Sequence, residues 1–328
     1  MNTAKENLSL QRWVAAISII LLAVKFYAFY ITHSVAVLTD ALESIVNVAA
    51  GFIGLYSLYV AAKPRDKNHP YGHGKAEFIS AAIEGTLIII AGILIVYKAI
   101  ENLVFPVVLH QLDKGIILVA ATAIINVLAG FVCLKKGNKN NSPALQASGK
   151  HLLTDSYSTI GIILGLILIY FSGFTWIDSI LALFVSLIII ITGYKIIRKS
   201  IAGIMDEADE QLLSKLVKTL QDNKRENWVD LHNLRVIKYG AVLHLDAHLT
   251  VPWFLNVHEA HKEIDALASL VKNEFGDSLE LFIHSDGCLS FSCKICNKMN
   301  CTERIHDFEK AIPWNLENIL KNEKFQLP

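Results

Sequence analysis

The chain has 328 residues, a formal net charge of zero and a hydrophobic share of 53%. That share is higher than in most soluble domains, and the lack of a basic excess argues against a nucleic-acid partner. The long apolar runs lie within residues 1–200, whereas residues 201–328 hold most of the acidic residues and histidines. The sequence therefore predicts a membrane domain followed by a domain in water.

Six segments are apolar over roughly the 20 residues that a helix needs to cross the hydrocarbon core. They are Trp13–Thr32, Val35–Ala61, Phe78–Ile100, Ile116–Leu134, Leu152–Phe171 and Ile177–Ile197. Lysine and arginine residues concentrate in the loops after the second and fourth spans and directly after the sixth. Because basic loops stay in the cytoplasm, both termini are predicted to face it.

Two pairs of polar side chains lie inside these spans, each with a spacing of four residues. Glu43 and Asn47 share one face of the second span, and His151 and Asp155 share one face of the fifth. Ionisable residues inside a bilayer are costly and usually functional. Four nitrogen and oxygen ligands from two helices suit the tetrahedral preference of Zn²⁺, which favours a buried metal site. The alternative is a set of structural polar groups paired with Lys25.

Two further charges, Lys25 and Asp40, lie deep in the first and second spans. Lys25 is near the middle of its span, where its side chain is too short to reach the headgroups. We expect the two residues to form a structural intramembrane ion pair. Neutralising either residue should then impair folding or expression.

The loop after the second span contains Asp66, His69 and His73 around a Pro-Tyr-Gly turn. Three such ligands within eight positions can hold a metal ion, with water as the remaining ligand. A polar turn whose histidines cap the neighbouring helices explains the same residues equally well.

After residue 204 the long apolar runs give way to shorter amphipathic elements. In chain order these are the helix Glu207–Asp222, the strands Leu234–Ile237 and Val242–Thr250, the helix Val257–Phe275 and the strand Leu279–Ile283. This order predicts a small α/β domain. We therefore divide the chain into a six-helix membrane domain (1–203), a cytoplasmic α/β domain (204–286) and a cysteine-rich cytoplasmic tail (287–328).

The α/β domain is rich in side chains that bind metals. The candidates are His232, His244, His248, His258, His261, His284 and Asp286. His244 and His248 fall on one face of their strand because their separation is even. Any single surface histidine is more often inert, and it is the density of these candidates that favours a metal site.

The tail contains Cys288, Cys293, Cys296 and Cys301 in the pattern C-x4-C-x2-C-x4-C. In a reducing cytoplasm these cysteines should stay free of disulfides. Four thiolates suit Zn²⁺, and the first three also match a short run of plant-type iron–sulfur proteins. Inert or metal-exchanging thiols are the remaining alternative. Cys133, at the end of the fourth span, is expected to serve packing.

Several of these motifs, in order over residues 10–287, resemble the cation diffusion facilitator family. The matching residues are Ser34–Asn47, His69–Glu77, His151 with Asp155, Asp230–Arg235 and His284–Asp286. The resemblance implies a homodimer of six-helix protomers, each with a cytoplasmic domain of ferredoxin-like, metallochaperone-like fold. It further implies export of Zn²⁺, Mn²⁺, Fe²⁺, Co²⁺ or Cd²⁺ in exchange for protons. We expect transport by alternating access and a location in a bacterial inner membrane.

The resemblance also implies roles for individual residues. The transport site would be Glu43, Asn47, His151 and Asp155, and the loop site Asp66, His69 and His73. The regulatory cytoplasmic site, with Zn²⁺ as its expected ion, would be His232, His248, His261, His284 and Asp286. Lys75 and Asp206 would form a salt bridge between protomers.

This sequence departs from the family pattern in the second span. Asn47 stands where the family usually has Asp, and Glu43 where His or Asp is commoner. An amide oxygen carries no charge and binds metal ions more weakly than a carboxylate does, which makes Zn²⁺ less secure as the substrate. Mn²⁺ and Fe²⁺ accept oxygen-rich ligand sets and therefore remain alternatives. A membrane-tethered metal sensor is the competing function. A metalloenzyme is not expected because no HExxH-type motif supplies both ligands and a base.

Overall fold

The computed structural model describes residues 2–139, 143–239, 242–276 and 279–327. The chain folds as two compact units. The first contains Met1–Ser57 and Ile79–Ser200, and the second contains Leu58–Phe78 and Ile201–Pro328.

The first unit is a bundle of six long helices. These are α1 (Asn2–Thr32), α2 (Val35–Ala61), α3 (Ala76–Val104), α4 (Leu112–Lys139), α5 (Pro143–Ser172) and α6 (Trp176–Ile204). Each is long and apolar enough to cross a membrane. Large apolar side chains such as Leu164 and Phe171 are exposed on the outer surface, as expected for residues that face lipid. The prediction of six spans is confirmed.

Close packing in the bundle depends on small residues. A side chain at Gly149 of α5 would collide with the carbonyl oxygen of Gly130 on α4, and one at Gly85 of α3 with that of Gly193 on α6. Helices in lipid associate through such small residues because they let the backbones approach closely. The α4–α5 contact positions the part of α5 that carries His151 and Asp155.

The start of α2 is held by a buried carboxylate of α6. Asp178 accepts hydrogen bonds from the Ser34 hydroxyl at 2.5 Å and from the backbone N–H groups of Val35 at 2.6 Å and Ala36 at 3.3 Å. These N–H groups have no partner within their own helix, and a negative charge at a helix N-terminus is favourable. Asp178 therefore orients the helix that carries Glu43 and Asn47.

The second unit contains a three-stranded sheet with helices. Its elements are α7 (Glu210–Asp222), β1 (Asp230–Tyr239), β2 (Val242–Val251), α8 (Val257–Phe275), β3 (Leu279–Gly287), a 3₁₀ helix (Ser290–Lys294) and α9 (Leu316–Ile319). The strand order is β1-β2-β3. β1 pairs antiparallel with β2, and β2 pairs parallel with β3. The predicted α/β class is confirmed.

The starts of β1 and α7 differ from the prediction, and β1 and β3 also run further, to Tyr239 and Gly287. β1 begins at Asp230 instead of Leu234 because the pairing shifts between His232 and Arg235, where Asn233 has a φ of 54°. This bulge interrupts the alternation that a regular strand shows. α7 begins at Glu210 because the carboxylate of the preceding residue accepts the N–H of Leu212 and so caps the helix.

Residues 287–327 pack against the sheet. The hydrophobic core of the second unit contains Leu245 and Leu249 of β2 together with Trp314, Ile319 and Phe325. Trp314 stacks on Trp228 with ring centroids 6.4 Å apart. The segment predicted as a tail thus shares one core with the α/β domain.

The exchange Trp314→Ala tests this shared core. Trp314 is 3% exposed, and removing a buried tryptophan costs about 3–5 kcal/mol. We expect limited proteolysis with mass spectrometry to cut the segment 287–327 much faster in this variant. Trp176→Ala is the matched control because Trp176, at the start of α6, is 56% exposed. Equal cleavage of both variants would contradict the shared core.

Candidate metal centres

The predicted transport residues lie where α2 contacts α5. The Asn47 amide donates to both carboxylate oxygens of Asp155, at 3.1 and 3.2 Å. His151, one helical turn before Asp155, places Nε2 4.0 Å from Asp155 Oδ1. Glu43, one turn before Asn47, is partly buried. To bind a cation, the Asn47 amide must turn its oxygen toward the ion, because its nitrogen has no free lone pair.

A buried ion pair lies next to this group. Lys25 Nζ lies 2.9 Å from Asp40 Oδ1 and 2.9 Å from the Ser44 hydroxyl oxygen, and both charged residues are only 2% exposed. Thr159 of α5 donates to the same Asp40 oxygen at 2.9 Å and to the backbone carbonyl of Asp155. This network joins α1, α2 and α5 one turn from Asp155.

The loop residues form a second group. Asp66 Oδ1 lies 3.2 Å from His69 Nδ1, and Asp66 Oδ2 lies 3.3 Å from His73 Nε2. One ligand atom from each residue can therefore contact a single ion. The pKa of the Asp66 carboxyl is lowered, mainly because the carboxylate accepts a hydrogen bond from the backbone N–H of His69. The carboxylate is thus ionised and ready to bind a cation at neutral pH.

Contacts with the sheet hold this loop in place. Arg65 pairs with Glu280 of β3, and Tyr71 stacks on Tyr239 of β1 with centroids 5.7 Å apart. Lys75 Nζ lies 2.9 Å from Asp206 Oδ2 of the same chain. Lys75 and Asp206 are the pair that the family resemblance assigned to a bridge between protomers, and here they meet within one protomer.

The third group follows from the register of the sheet. His232 pairs with His248 across β1 and β2, and His248 pairs with His284 across β2 and β3, so the three form one row. Asp286 Oδ2 lies 3.5 Å from His232 Nε2 and 3.2 Å from His248 Nδ1. His232, His248 and Asp286 each offer one ligand atom to a common point.

The other predicted cytoplasmic ligands lie further from this point. His284 borders the group, with Nε2 3.7 Å from Asp286 Oδ1 and its ring 4.8 Å from that of His248. His261 is 68% exposed on α8 and pairs with Asp265 at 3.7 Å, so within one protomer it is not joined to the group. The side chain of His244, in contrast, is buried against the rings of Tyr71 and Tyr239.

The sequence analysis did not identify two residues of the cytoplasmic group as site residues. Asp230 Oδ1 lies 2.7 Å from His232 Nδ1, and such a carboxylate orients the histidine so that Nε2 is free to bind a metal. Lys324 Nζ lies 3.8 Å from Asp286 Oδ1 and donates to the carbonyl of Gly287 at 2.7 Å. No local pattern links Lys324 to Asp286, because the contact arises only from the packing of the C-terminal segment.

The cysteines of the C-terminal segment are all free thiols. Cys288, Cys293, Cys296 and Cys301 line one cavity of about 190 Å³. Cys133 is buried in α4, as expected of a packing residue.

The chain thus combines six membrane-length helices, with polar side chains in contact where α2 meets α5, and a domain with a histidine–carboxylate cluster. Residues 12–205 match the model of the cation efflux transmembrane domain, and residues 208–288 match that of the cation efflux protein cytoplasmic domain. The chain belongs to the cation efflux family, which is the cation diffusion facilitator family indicated by its motifs. It is an integral membrane protein for cation efflux.

Several relatives have curated descriptions. The chain is 32% identical over 250 residues to an uncharacterized transporter of Synechocystis sp., covering 76% of this chain and 81% of that protein. It is 26% identical to the manganese efflux system protein MneS of Bacillus subtilis, covering 78% and 87%. It is 24% identical to the cadmium, cobalt and zinc/H(+)-K(+) antiporter of the same organism, covering 70% and 74%.

The contact between Lys324 and Asp286 leads to a prediction. The ammonium group competes with a metal ion for this carboxylate, so Lys324→Ala should raise the affinity of the cytoplasmic group for Zn²⁺. A charge pair that is still partly exposed to solvent, as this one is, contributes up to about 1 kcal/mol, which corresponds to roughly fivefold in affinity. Competition with a chromophoric chelator measures the change in the full-length protein.

Lys321→Ala is the matched control for that measurement, since it removes the same charge from an exposed side chain. An equal effect of both variants, or weaker binding by Lys324→Ala, would refute the competition.

Proposed function

We propose that the protein exports divalent transition-metal cations from the cytoplasm in exchange for protons, with Glu43, Asn47, His151 and Asp155 as the transport site. The observation that carries the proposal is the direct contact between Asn47 of α2 and Asp155 of α5. It brings ligands of two different helices together inside the bundle. A site that opens alternately to each side of the membrane needs ligands on helices that can move relative to each other.

Proton exchange follows from the ligand chemistry. A metal ion binds neutral histidine and ionised carboxylates, so its arrival displaces protons and their return expels it. With an unperturbed pKa of about 6.5, histidine changes its charge near physiological pH. His151 is 54% exposed and is the proton-coupled ligand in this proposal. One relative is named as a cadmium, cobalt and zinc/H(+)-K(+) antiporter, which supports the same direction of coupling to protons.

The choice of metal depends on the quartet. It offers one imidazole, one amide oxygen and two carboxylates, an oxygen-rich set that suits Mn²⁺ and Fe²⁺ as well as Zn²⁺. The relatives named above comprise a manganese efflux protein and a transporter of cadmium, cobalt and zinc. We propose a divalent transition-metal ion as the substrate class.

The cytoplasmic domain regulates transport in this proposal. Both termini lie in the cytoplasm, and the protein acts as a homodimer. Zn²⁺ binds His232, His248 and Asp286, while His284 and His261 complete a second position when two protomers pair. Metal binding at this position clamps the domains together when cytoplasmic metal is plentiful.

Flux into proteoliposomes tests the transport site. Asp155→Asn keeps the size and hydrogen-bonding capacity of the side chain but removes its charge. We expect metal uptake driven by a pH gradient to fall at least as much as the roughly 10–100-fold that loss of a supporting residue costs. Asp113→Asn, an exposed acidic residue in the first turn of α4, should keep the wild-type rate.

Two outcomes of that assay would count against the proposal. Unchanged flux in Asp155→Asn would remove this residue from the transport site. No flux of any metal by the wild-type protein would favour the membrane-tethered sensor, which uses the cytoplasmic domain and the cysteine-rich segment but does not need the quartet.

The exchange Asn47→Asp tests the role of the amide. It places a third carboxylate beside Asp155, so a divalent cation should bind more tightly, by about one order of magnitude or ~1.4 kcal/mol. Asn47→Ala removes the ligand without adding charge and should weaken binding. Isothermal titration with Zn²⁺ and Mn²⁺ measures both, and a change of the same sign in the two variants would contradict a coordinating role of residue 47.

A further inference from the structure

The four cysteines that follow β3 gather around one cavity. Cys288 comes directly after the strand, Cys293 lies in the 3₁₀ helix, and Cys296 and Cys301 follow it. All four line a cavity of about 190 Å³, whose wall is completed by Trp253 and other residues of the β2–α8 connection. Thiols that are up to thirteen positions apart in the chain thus border one space.

Backbone hydrogen bonds hold this arrangement. Arg304 donates to three carbonyl oxygens of the loop, those of Cys293 at 2.7 Å, Cys296 at 3.0 Å and Lys298 at 2.8 Å. The N–H of Cys288 donates to the carbonyl of Val251 at the end of β2, at 2.8 Å. The loop that carries the thiols is therefore a built structure fastened to the sheet.

Packing alone does not explain four thiols at this place. A cysteine that serves packing is usually fully buried, yet Cys288, Cys293 and Cys301 are only partly buried where they line this pocket. A pocket lined by four thiols offers a complete set of ligands for one metal ion.

We propose that Cys288, Cys293, Cys296 and Cys301 bind one Zn²⁺ as a tetrathiolate site, separate from the histidine–carboxylate groups. A closed set of four cysteines is a standard ligand set of structural zinc sites, with Zn–S bonds of roughly 2.3 Å and typically two to four residues between paired ligands. The four thiols release four protons as the four Zn–S bonds form.

The proposed zinc site fixes the start of the C-terminal segment to the sheet. Its first ligand stands two residues after Asp286, and its loop leads to Trp314 and Phe325 in the shared core. Because Zn²⁺ binds the folded arrangement, it stabilises the α/β domain by mass action. This role does not depend on transport.

Absorption of the Co²⁺-loaded, full-length protein tests the site. Sulfur-to-metal charge transfer arises only from thiolate ligands, so the histidine–carboxylate groups remain silent. We expect one equivalent of Co²⁺ per chain with this signature, displaced by Zn²⁺ and lost in Cys293→Ser and Cys301→Ser. Cys133→Ser, which changes a thiol outside the cavity, should keep it.

A second measurement needs no variant and so does not depend on how a variant folds. In the wild-type protein carrying Zn²⁺, a chelator should make four additional thiols reactive toward a thiol reagent, and added Zn²⁺ should protect them again. Unchanged reactivity, the absence of the charge-transfer band, or purified protein that holds iron and inorganic sulfide at these cysteines would each overturn the proposal.

Discussion

The constraint on which the membrane unit depends is that a charge inside a bilayer must be paired. A lysine at the centre of a span costs at least about 2.5–3.5 kcal/mol, and the contact of Lys25 with Asp40 offsets this cost. The same carboxylate accepts the hydroxyl of Thr159, so one ion pair joins three helices. Removing either partner would leave a buried charge unpaired, at a cost of about 3–5 kcal/mol. The proposed site at Asn47 and Asp155 is positioned by this network and by the Asp178 cap on α2.

In the second unit, the register of the sheet determines which metal-binding side chains lie together. The row of His232, His248 and His284 exists because β2 is the central strand and pairs antiparallel on one side and parallel on the other. The C-terminal segment then adds Lys324 beside Asp286 and a loop of thiols directly after β3. The end of β3 thus brings together the ammonium group of Lys324, the carboxylate of Asp286 and the candidate zinc ligands. We infer that metal occupancy and the packing of this segment influence each other.

Local patterns predicted much of this architecture. The spans follow from apolar length, and the polar pairs on α2 and α5 from two spacings of four residues, because both are properties of a single helix. Contacts between distant segments could not be predicted in this way. Asp178 meets the start of α2 only through the packing of the bundle, Lys324 reaches Asp286 only through the C-terminal fold, and the bulge at Asn233 has no marker in the strand pattern.

The central claim, that α2 and α5 form the transport site, is tested most directly by counting bound metal in a protein that lacks the other ligands. A full-length variant with His69→Ala, His248→Ala and Cys293→Ser disables the loop, cytoplasmic and cysteine groups. Equilibrium dialysis at fixed pH should find one Zn²⁺ or Mn²⁺ per chain, and adding Asp155→Asn should remove it. No bound metal before that last exchange, or the same bound metal after it, would contradict the account.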